Sequence, residues 1–278
     1  MTGESPLLAG VVGWPIAHSR SPVLHGHWLA RYGIAGHYVP LGVRPQDFDA
    51  AFKALPKLGF RGVNVTLPHK EAALSLATSV TDRAALIGAA NTITFRHDGV
   101  ISADNTDGYG FLRALRQGAP GWLAAAGPAL VIGAGGAARA IVSALLSDGA
   151  PEVRVANRTR ARADMLRDHF GARVTVVDWS RASDATGGAM TIVNTTSMGM
   201  QGQPDLPLRL DAAPRGALVT DVVYRPLATG LLRQAEARGL VTVDGLGMLL
   251  HQAAPGFESW FGVRPDVDAA LRAAALAG

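Results

Sequence analysis

The sequence predicts an α/β protein of two domains, an N-terminal domain with a mixed sheet followed by a doubly wound parallel sheet. Three observations carry this expectation. Short apolar runs alternate with amphipathic segments along most of the 278 residues, the pattern of βαβ units. An Asp98-Gly99 hairpin signal separates Ile93–Phe95 from Val100–Ala103, which gives the first half an antiparallel edge. A glycine run beginning at Gly133 joins a short apolar run to a helical stretch, the usual opening of a parallel α/β domain. We expect the first domain at 1–107, completed by C-terminal helices at 248–278, and the second at 108–247.

The elements follow in order. Leu7–Val12 reads as a buried strand. Ser21–Tyr32 reads as a helix, with Ser21 as its cap and Pro22 in its first turn. His37–Leu41 is strand-like. Pro45–Leu58 is an amphipathic helix whose Lys53 and Lys57, four residues apart, fit a solvated face. Gly62–Leu67 is a strand ended by Pro68. Tyr109–Arg116 looks helical, and the Gly/Pro/Ala segment Gly118 to Pro128 reads as a linker. Strands are then expected at Ala129–Ile132, Val153–Ala156, Val174–Val177, Thr191–Asn194 and Ala217–Val223, with helices between the early ones.

Composition narrows the possible functions. Apolar residues make up 48% and charged residues 17%, and the net charge is only +4. That suits a globular fold and gives no basis for nucleic-acid binding. There is no cysteine, which excludes disulfides, thiolate nucleophiles and Cys-ligated zinc and fits a reducing cytoplasm. The histidines show no His-x-x-x-His helix, so no metal site is expected. The segment MTGESPLLAG lacks the basic start of a leader. Gly121 to Ala138 is too rich in glycine for a bilayer helix. Of 26 basic residues only Lys53, Lys57 and Lys70 are lysines, so Lys70, which sits elsewhere in VNVTLPHKE, stands out.

Gly133-Ala134-Gly135-Gly136-Ala137-Ala138 follows a strand and opens a helix. Its G-x-G-x-x-A pattern allows a tight turn and brings backbone N–H groups to a pyrophosphate at a helix N-terminus; a packed glycine turn has the same spacing. The next strand ends in Asn157-Arg158-Thr159-Arg160-Ala161-Arg162. An NAD site places an acid there for the ribose 2′-hydroxyl. Three arginines instead suit a 2′-phosphate, because cations at a helix start otherwise oppose its dipole. The second domain is therefore read as Rossmann-type and NADP-binding.

In the first domain Ser19 and Ser21 flank a loop–helix junction, where they suit a carboxylate or simple capping. Asn64 and Thr66 lie on one face of a strand, with Lys70 just past its end. Asn91, Asn105 and Asp107 add amides and a carboxylate; each is also ordinary turn chemistry.

The segments GWPIAHSRSP, GVNVTLPHKE, GAANT, DNTDGYGF, GAGGAAR, NRTRAR, NTTSMGM, DVVYRPLATGLL and GLGMLLHQAAPGFESW closely resemble the shikimate dehydrogenase family. They stand in the family's order from residue 13 to 260. The resemblance implies NADPH-dependent reduction of 3-dehydroshikimate to shikimate, on the route to chorismate and the aromatic amino acids, by a cytoplasmic monomer or homodimer without membrane or nucleic-acid partners. It implies that Lys70 and Asp107 form the catalytic pair. By the same resemblance Ser19 and Ser21 bind the substrate carboxylate, Thr66, Asn91 and Gln252 its hydroxyls, and Tyr224 supports the pocket. It gives Gly133, Ala134, Gly135, Gly136 and Ala137 to the pyrophosphate. Asn157, Arg158, Thr159 and Arg162 fall to the 2′-phosphate, Val222 and Gly245 to the nicotinamide side, and Asp82 to the cofactor edge. His251 receives no role beyond packing. The rival readings are a quinate or dual quinate/shikimate dehydrogenase, which Ser21 and the absence of an acid near Asn157 argue against, and a non-catalytic sensor, which would lack the Lys70–Asp107 pair.

Overall fold

The computed structural model describes residues 6–277; the first five residues of the N-terminal segment inspected for a leader lie outside them. The chain divides into two compact units, one running to Thr106 and resuming at Leu250, the other spanning Asp107–Leu249.

The first unit is built on a six-stranded mixed sheet. Its strands are β1 (Leu7–Gly13), β2 (Gly36–Gly42), β3 (Phe60–Val65), β4 (Ser79–Val80), β5 (Thr92–Phe95) and β6 (Ile101–Asp104), in the order β2-β1-β3-β5-β6-β4. β1 is parallel to both β2 and β3, while β5 is antiparallel to β3 and β6. Gly99, at φ 84°, closes the expected hairpin in a conformation that glycine adopts without strain. Side chains alternate across the sheet. Val63 and Val65 pack with Phe48 and Phe52 of α2 (Phe48–Ala54). On the opposite face Tyr38 donates to Asn64 (2.7 Å) and Trp260 Nε1 donates to the Ile93 carbonyl (2.9 Å). That face is covered by α1 (Ser21–Arg31) and by the part of α9 (Leu246–Phe261) that belongs to this unit, and α10 (Ala269–Ala277) packs against α1. Gly62 has no room for a Cβ, which would run into Trp260 Nε1 and the Ile93 carbonyl.

The second unit carries six parallel strands, β7 (Ala129–Ile132), β8 (Val153–Ala156), β9 (Val174–Val177), β10 (Thr191–Asn194), β11 (Leu218–Asp221) and β12 (Val241–Val243), in the order β12-β11-β10-β7-β8-β9. Its helices are α5 (Asp107–Gly118), α6 (Gly136–Ser147), α7 (Arg160–Phe170) and α8 (Gly230–Ala237). The central strands β7, β10 and β11 are buried throughout and largely apolar, as a sheet covered on both faces requires. In β7, Ala129 and Val131 enter one core with Phe111, Ile141 and Leu145, while Leu130 and Ile132 enter the other with Leu231 and Leu232. The winding reverses between β7 and β10, so a crevice opens beyond their carboxyl ends, the place where such sheets bind ligands.

Several expectations need correction. Pro45–Leu58 is not one helix: α2 is flanked by 3-10 turns at Pro45–Asp47 and Leu55–Leu58. Pro56, which lacks an N–H and crowds the preceding turn, breaks the pattern. The strand expected to reach Leu67 ends at Val65. Gly118 to Pro128 is no free linker, because Trp122 donates to Thr191 Oγ1 (2.9 Å) and Ala124 is buried. The short helices α3 (Lys70–Leu76) and α4 (Asp82–Ile87) and the strands β4 and β12 carried too few residues to show a period. Among the described residues no helix is long and apolar enough to cross a membrane.

Candidate active site

In the first unit the parallel pairing of β1 with β3 sets Val12 against Val65. The loops leaving their carboxyl ends therefore run side by side: Trp14 N–H donates to the Leu67 carbonyl (3.0 Å) and Thr66 N–H to that of Val12 (2.9 Å). A Cβ at Gly13 would stand 2.5 Å from Thr66 Cγ2, so glycine is what lets the Thr66 side chain close on β1. Ser21 is not the cap of α1 but its first residue. Ser19 Oγ accepts the Ser21 N–H at 3.3 Å, which places both hydroxyls at the helix start. Tyr38 stands behind Ser21. Burial pushes its phenol well above the ordinary value, against the opposing hydrogen bond with Ser21.

Lys70 is the first residue of α3, and its carbonyl accepts the Ala90 N–H (2.9 Å). The preceding residue is fixed: His69 stacks on Phe48 at 4.3 Å and its Nε2 meets the Val43 carbonyl at 2.7 Å. The 89–91 turn thus lies against the start of α3.

The amides form one buried network. Asn64 Nδ2 donates to the Asn91 carbonyl (3.1 Å), and Asn91 Nδ2 donates to Gln252 Oε1 (3.2 Å). Asn91 Oδ1 accepts from the Thr106 N–H (2.8 Å) and the Thr92 hydroxyl (2.9 Å), and Thr106 Oγ1 reaches the Gln252 carbonyl (2.8 Å). With its oxygen so occupied, the Asn91 amide has a fixed orientation. Thr106, fully buried, and Tyr38 organise this network without having been singled out from the sequence; Thr106 lay in the quoted DNTDGYGF segment, whereas nothing marked Tyr38. Asn105 donates to the Ala89 carbonyl (2.9 Å). His251 is buried in α9. Asp82 is exposed at the first turn of α4, and it is its neighbour Arg83 that pairs with Asp104. Burial opposes ionisation of Asp104, but hydrogen bonds from Arg83 and Thr81 outweigh it and hold the carboxyl below its ordinary value.

In the second unit Asp107 opens α5 and is buried. β7 runs into Gly133, at φ 111°, where a Cβ would also collide with Thr195 Oγ1. Ala134 is buried, and Gly135 caps α6 with open space where a side chain would be. Gly136 and Ala137 form the first turn of that helix, so unclaimed N–H groups point out of its start. At the end of β8, Asn157 Nδ2 donates to the Thr159 carbonyl (2.8 Å) and Thr159 occupies the cap position of α7. The three arginines separate here. Arg160 pairs with Asp178 and Asp164, while exposed Arg158 and Arg162 have no ion pair among the described residues. No acid stands in the first turn of α7.

Beyond β11, Val222 N–H donates to the Asn194 carbonyl (3.0 Å), and a Cβ at Gly245 would lie 2.6 Å from the Val222 carbonyl oxygen. Val222 and Gly245 are thus brought together. Tyr224 is half-buried, and burial pushes its phenol upward. Asp221 is buried, which pushes its carboxyl up although Val223 N–H, Asn194 and Thr229 donate to it.

A doubly wound parallel sheet with a glycine turn at its switch point makes the second unit a Rossmann-type nucleotide-binding domain. Family models match in three places: the shikimate dehydrogenase substrate binding domain at residues 11–93, shikimate / quinate 5-dehydrogenase at 124–198, and the shikimate 5′-dehydrogenase C-terminal domain at 245–275. The chain is 68% identical over 277 residues, the whole of both chains, to shikimate dehydrogenase (NADP(+)) of Dinoroseobacter shibae. Among solved structures it is similar to quinate dehydrogenase from Corynebacterium glutamicum in complex with NAD (TM-score 0.90, 33% identity, 99% of this chain and 100% of that one). It is also similar to shikimate 5-dehydrogenase from Thermus thermophilus in complex with NADP(H) and shikimate (TM-score 0.87, 39% identity, 98% and 99%). The chain belongs to the shikimate dehydrogenase family.

Proposed function

We propose that the protein catalyses the reversible NADPH-dependent reduction of 3-dehydroshikimate to shikimate, as a cytoplasmic monomer or homodimer. The observation that carries the cofactor half is the turn after β8. Arg158 and Arg162 lack ion-pair partners among the described residues and no acid opens α7, a surface that suits a 2′-phosphate and disfavours a free 2′-hydroxyl partner. The open position at Gly135 and the outward N–H groups of α6 suit a pyrophosphate.

Bound NADPH supplies the hydride taken by the ketone carbon. In this reading Ser19 and Ser21 hold the substrate carboxylate at the start of α1. Thr66, Asn91 and Gln252 hold ring hydroxyls, and Tyr224 closes the pocket. As the ketone is reduced, charge develops on its oxygen. Lys70 stabilises that charge and delivers the proton, with Asp107 as the acidic partner that takes a hydrogen bond from a neighbouring hydroxyl.

The test is a steady-state assay with shikimate and quinate, each against NADP⁺ and NAD⁺. We expect the highest kcat/KM for shikimate with NADP⁺. The similarity to a quinate dehydrogenase favours quinate as the second reading, and a higher kcat/KM for quinate would replace our proposal with it.

A further inference from the structure

At the carboxyl end of β11 the carboxylate of Asp221, 1% exposed, collects donors from three separate segments. Oδ1 accepts Asn194 Nδ2 and the Val223 N–H, each at 3.0 Å, and Oδ2 accepts the Thr229 hydroxyl at 2.8 Å. These partners lie at the end of β10, in the segment leaving β11, and at the cap of α8. The block extends further. Asn194 Oδ1 accepts from Thr196 N–H (3.0 Å) and Thr196 Oγ1 (2.8 Å), and Asn194 Nδ2 also donates to the Met198 carbonyl (3.0 Å). Both the N–H and the hydroxyl of Thr195 donate to the Ile132 carbonyl, at 2.8 and 2.7 Å, beside Gly133. One buried carboxylate thus welds the Val222–Tyr224 segment to the 194–198 turn, which is itself pinned to the glycine turn.

We propose that Asp221 is a positioning residue for the nicotinamide end of the cofactor. It fixes the backbone at Val222, against which Gly245 is packed, and does so without touching the cofactor itself. This rests on the NADPH reading above. A carboxylate suits the task because it only accepts and offers about four lone-pair sites, so three donors converge on it without conflict. Desolvating a carboxylate is unfavourable, and a purely local turn could be closed by a neutral acceptor. The convergence of three segments on one acid makes the geometry of the 222–224 segment the feature that its burial secures.

The test separates the two ends of the cofactor. Dissociation constants for NADPH and for adenosine 2′,5′-bisphosphate, which lacks the nicotinamide, are measured on wild type, Asp221→Ala and Asp221→Asn. Expected for Asp221→Ala is a tenfold or greater rise in Kd for NADPH, with bisphosphate binding unchanged within twofold. Asp221→Asn, whose amide oxygen can still accept the two N–H donors, should recover to within about threefold of wild type. Should Asp221→Ala fail to fold, Thr229→Val carries the test, with a threefold or greater rise for NADPH alone. Unchanged NADPH affinity, or parallel loss of both ligands, would overturn the positioning role. Wild type that ignores the bisphosphate would overturn the cofactor reading and this proposal with it.

Discussion

The imidazole of His25 lies flat on the phenol ring of Tyr38, with 3.8 Å between centroids and 3° between planes. His25 is fully buried, and neither ring nitrogen has a hydrogen-bond partner among the described residues. Burial lowers its pKa from 6.5 to about 3, the nearby Asn64 side chain acting in the opposite direction. The sign follows from linkage. The folded state requires neutral imidazole, whereas the unfolded chain takes up a proton near pH 6.5. His25 therefore leaves stability intact above that pH and subtracts from it as the pH falls toward 3. Between pH 5.5 and 4.5 wild type should lose about 1.4 kcal/mol, one proton's worth, that a His25→Gln variant does not lose. Urea unfolding at the two pH values measures the difference; equal slopes would show that His25 protonates in the folded state.

A second prediction concerns Arg158, which is exposed and has no ion pair among the described residues, in contrast to Arg160, which is engaged by Asp178. A hydrogen bond to a charged group contributes about 1.5–3 kcal/mol. Arg158→Ala should raise KM for NADPH by about tenfold or more and leave NADH kinetics nearly unchanged. Arg160→Ala should alter neither by more than about twofold, since an exposed pair contributes little. Equal losses with both cofactors in Arg158→Ala would remove the 2′-phosphate from this turn.

Two glycines with opposite surroundings give a stability test. A methyl at Gly62 would strike Trp260 Nε1 and the Ile93 carbonyl, the two halves of one hydrogen bond, whereas one at Gly26 in α1 would meet nothing within 4 Å. Gly62→Ala should destabilise by about 3 kcal/mol, from overpacking and the lost bond. Gly26→Ala should stabilise by about 0.5–1 kcal/mol, the helix-propensity difference. Chemical denaturation of both variants tests the pair, and a neutral Gly62→Ala would mean that both Trp260 and the strand at Ile93 give way freely.

The central strands β7, β10 and β11 were legible because each is a largely apolar run buried on both faces, and Ala129–Ile132 is closed by the turn residue Gly133. The hairpin was legible from Asp98-Gly99. By contrast, α3 and α4 are seven and six residues long, less than the span over which a helical period declares itself, and tertiary packing decides them. Ser19 rather than Ser21 supplies the oxygen at the start of α1 because chain reversal at Ile16–Ser19 brings it there, which spacing alone does not reveal. Motifs located the polar residues, but not which of them were already spoken for. That Asp178 claims Arg160, and that Thr106 orients Asn91, depends on partners 18 and 15 residues away.

The last prediction concerns Lys70, one of three lysines in the chain and the first residue of α3. A cation in the first turn opposes the helix dipole by a few tenths of a kcal/mol or more, so helix stability does not account for it. The rigid seating of His69 on Phe48 and Val43 limits how far the start of α3 can shift. If Lys70 meets the charge developing on the substrate oxygen, its contribution appears mainly in the transition state. Lys70→Ala should then lower kcat by roughly 10²–10⁴ with a smaller change in KM. Lys70→Arg should not restore the rate, because a guanidinium stays protonated and is planar and broader. Asp107→Asn should also be slow. The double variant should lose less than the product of the two single effects, because groups that act as a unit are not additive. Near-normal kcat with raised KM in Lys70→Ala would make Lys70 a binding residue and move the proton donor elsewhere.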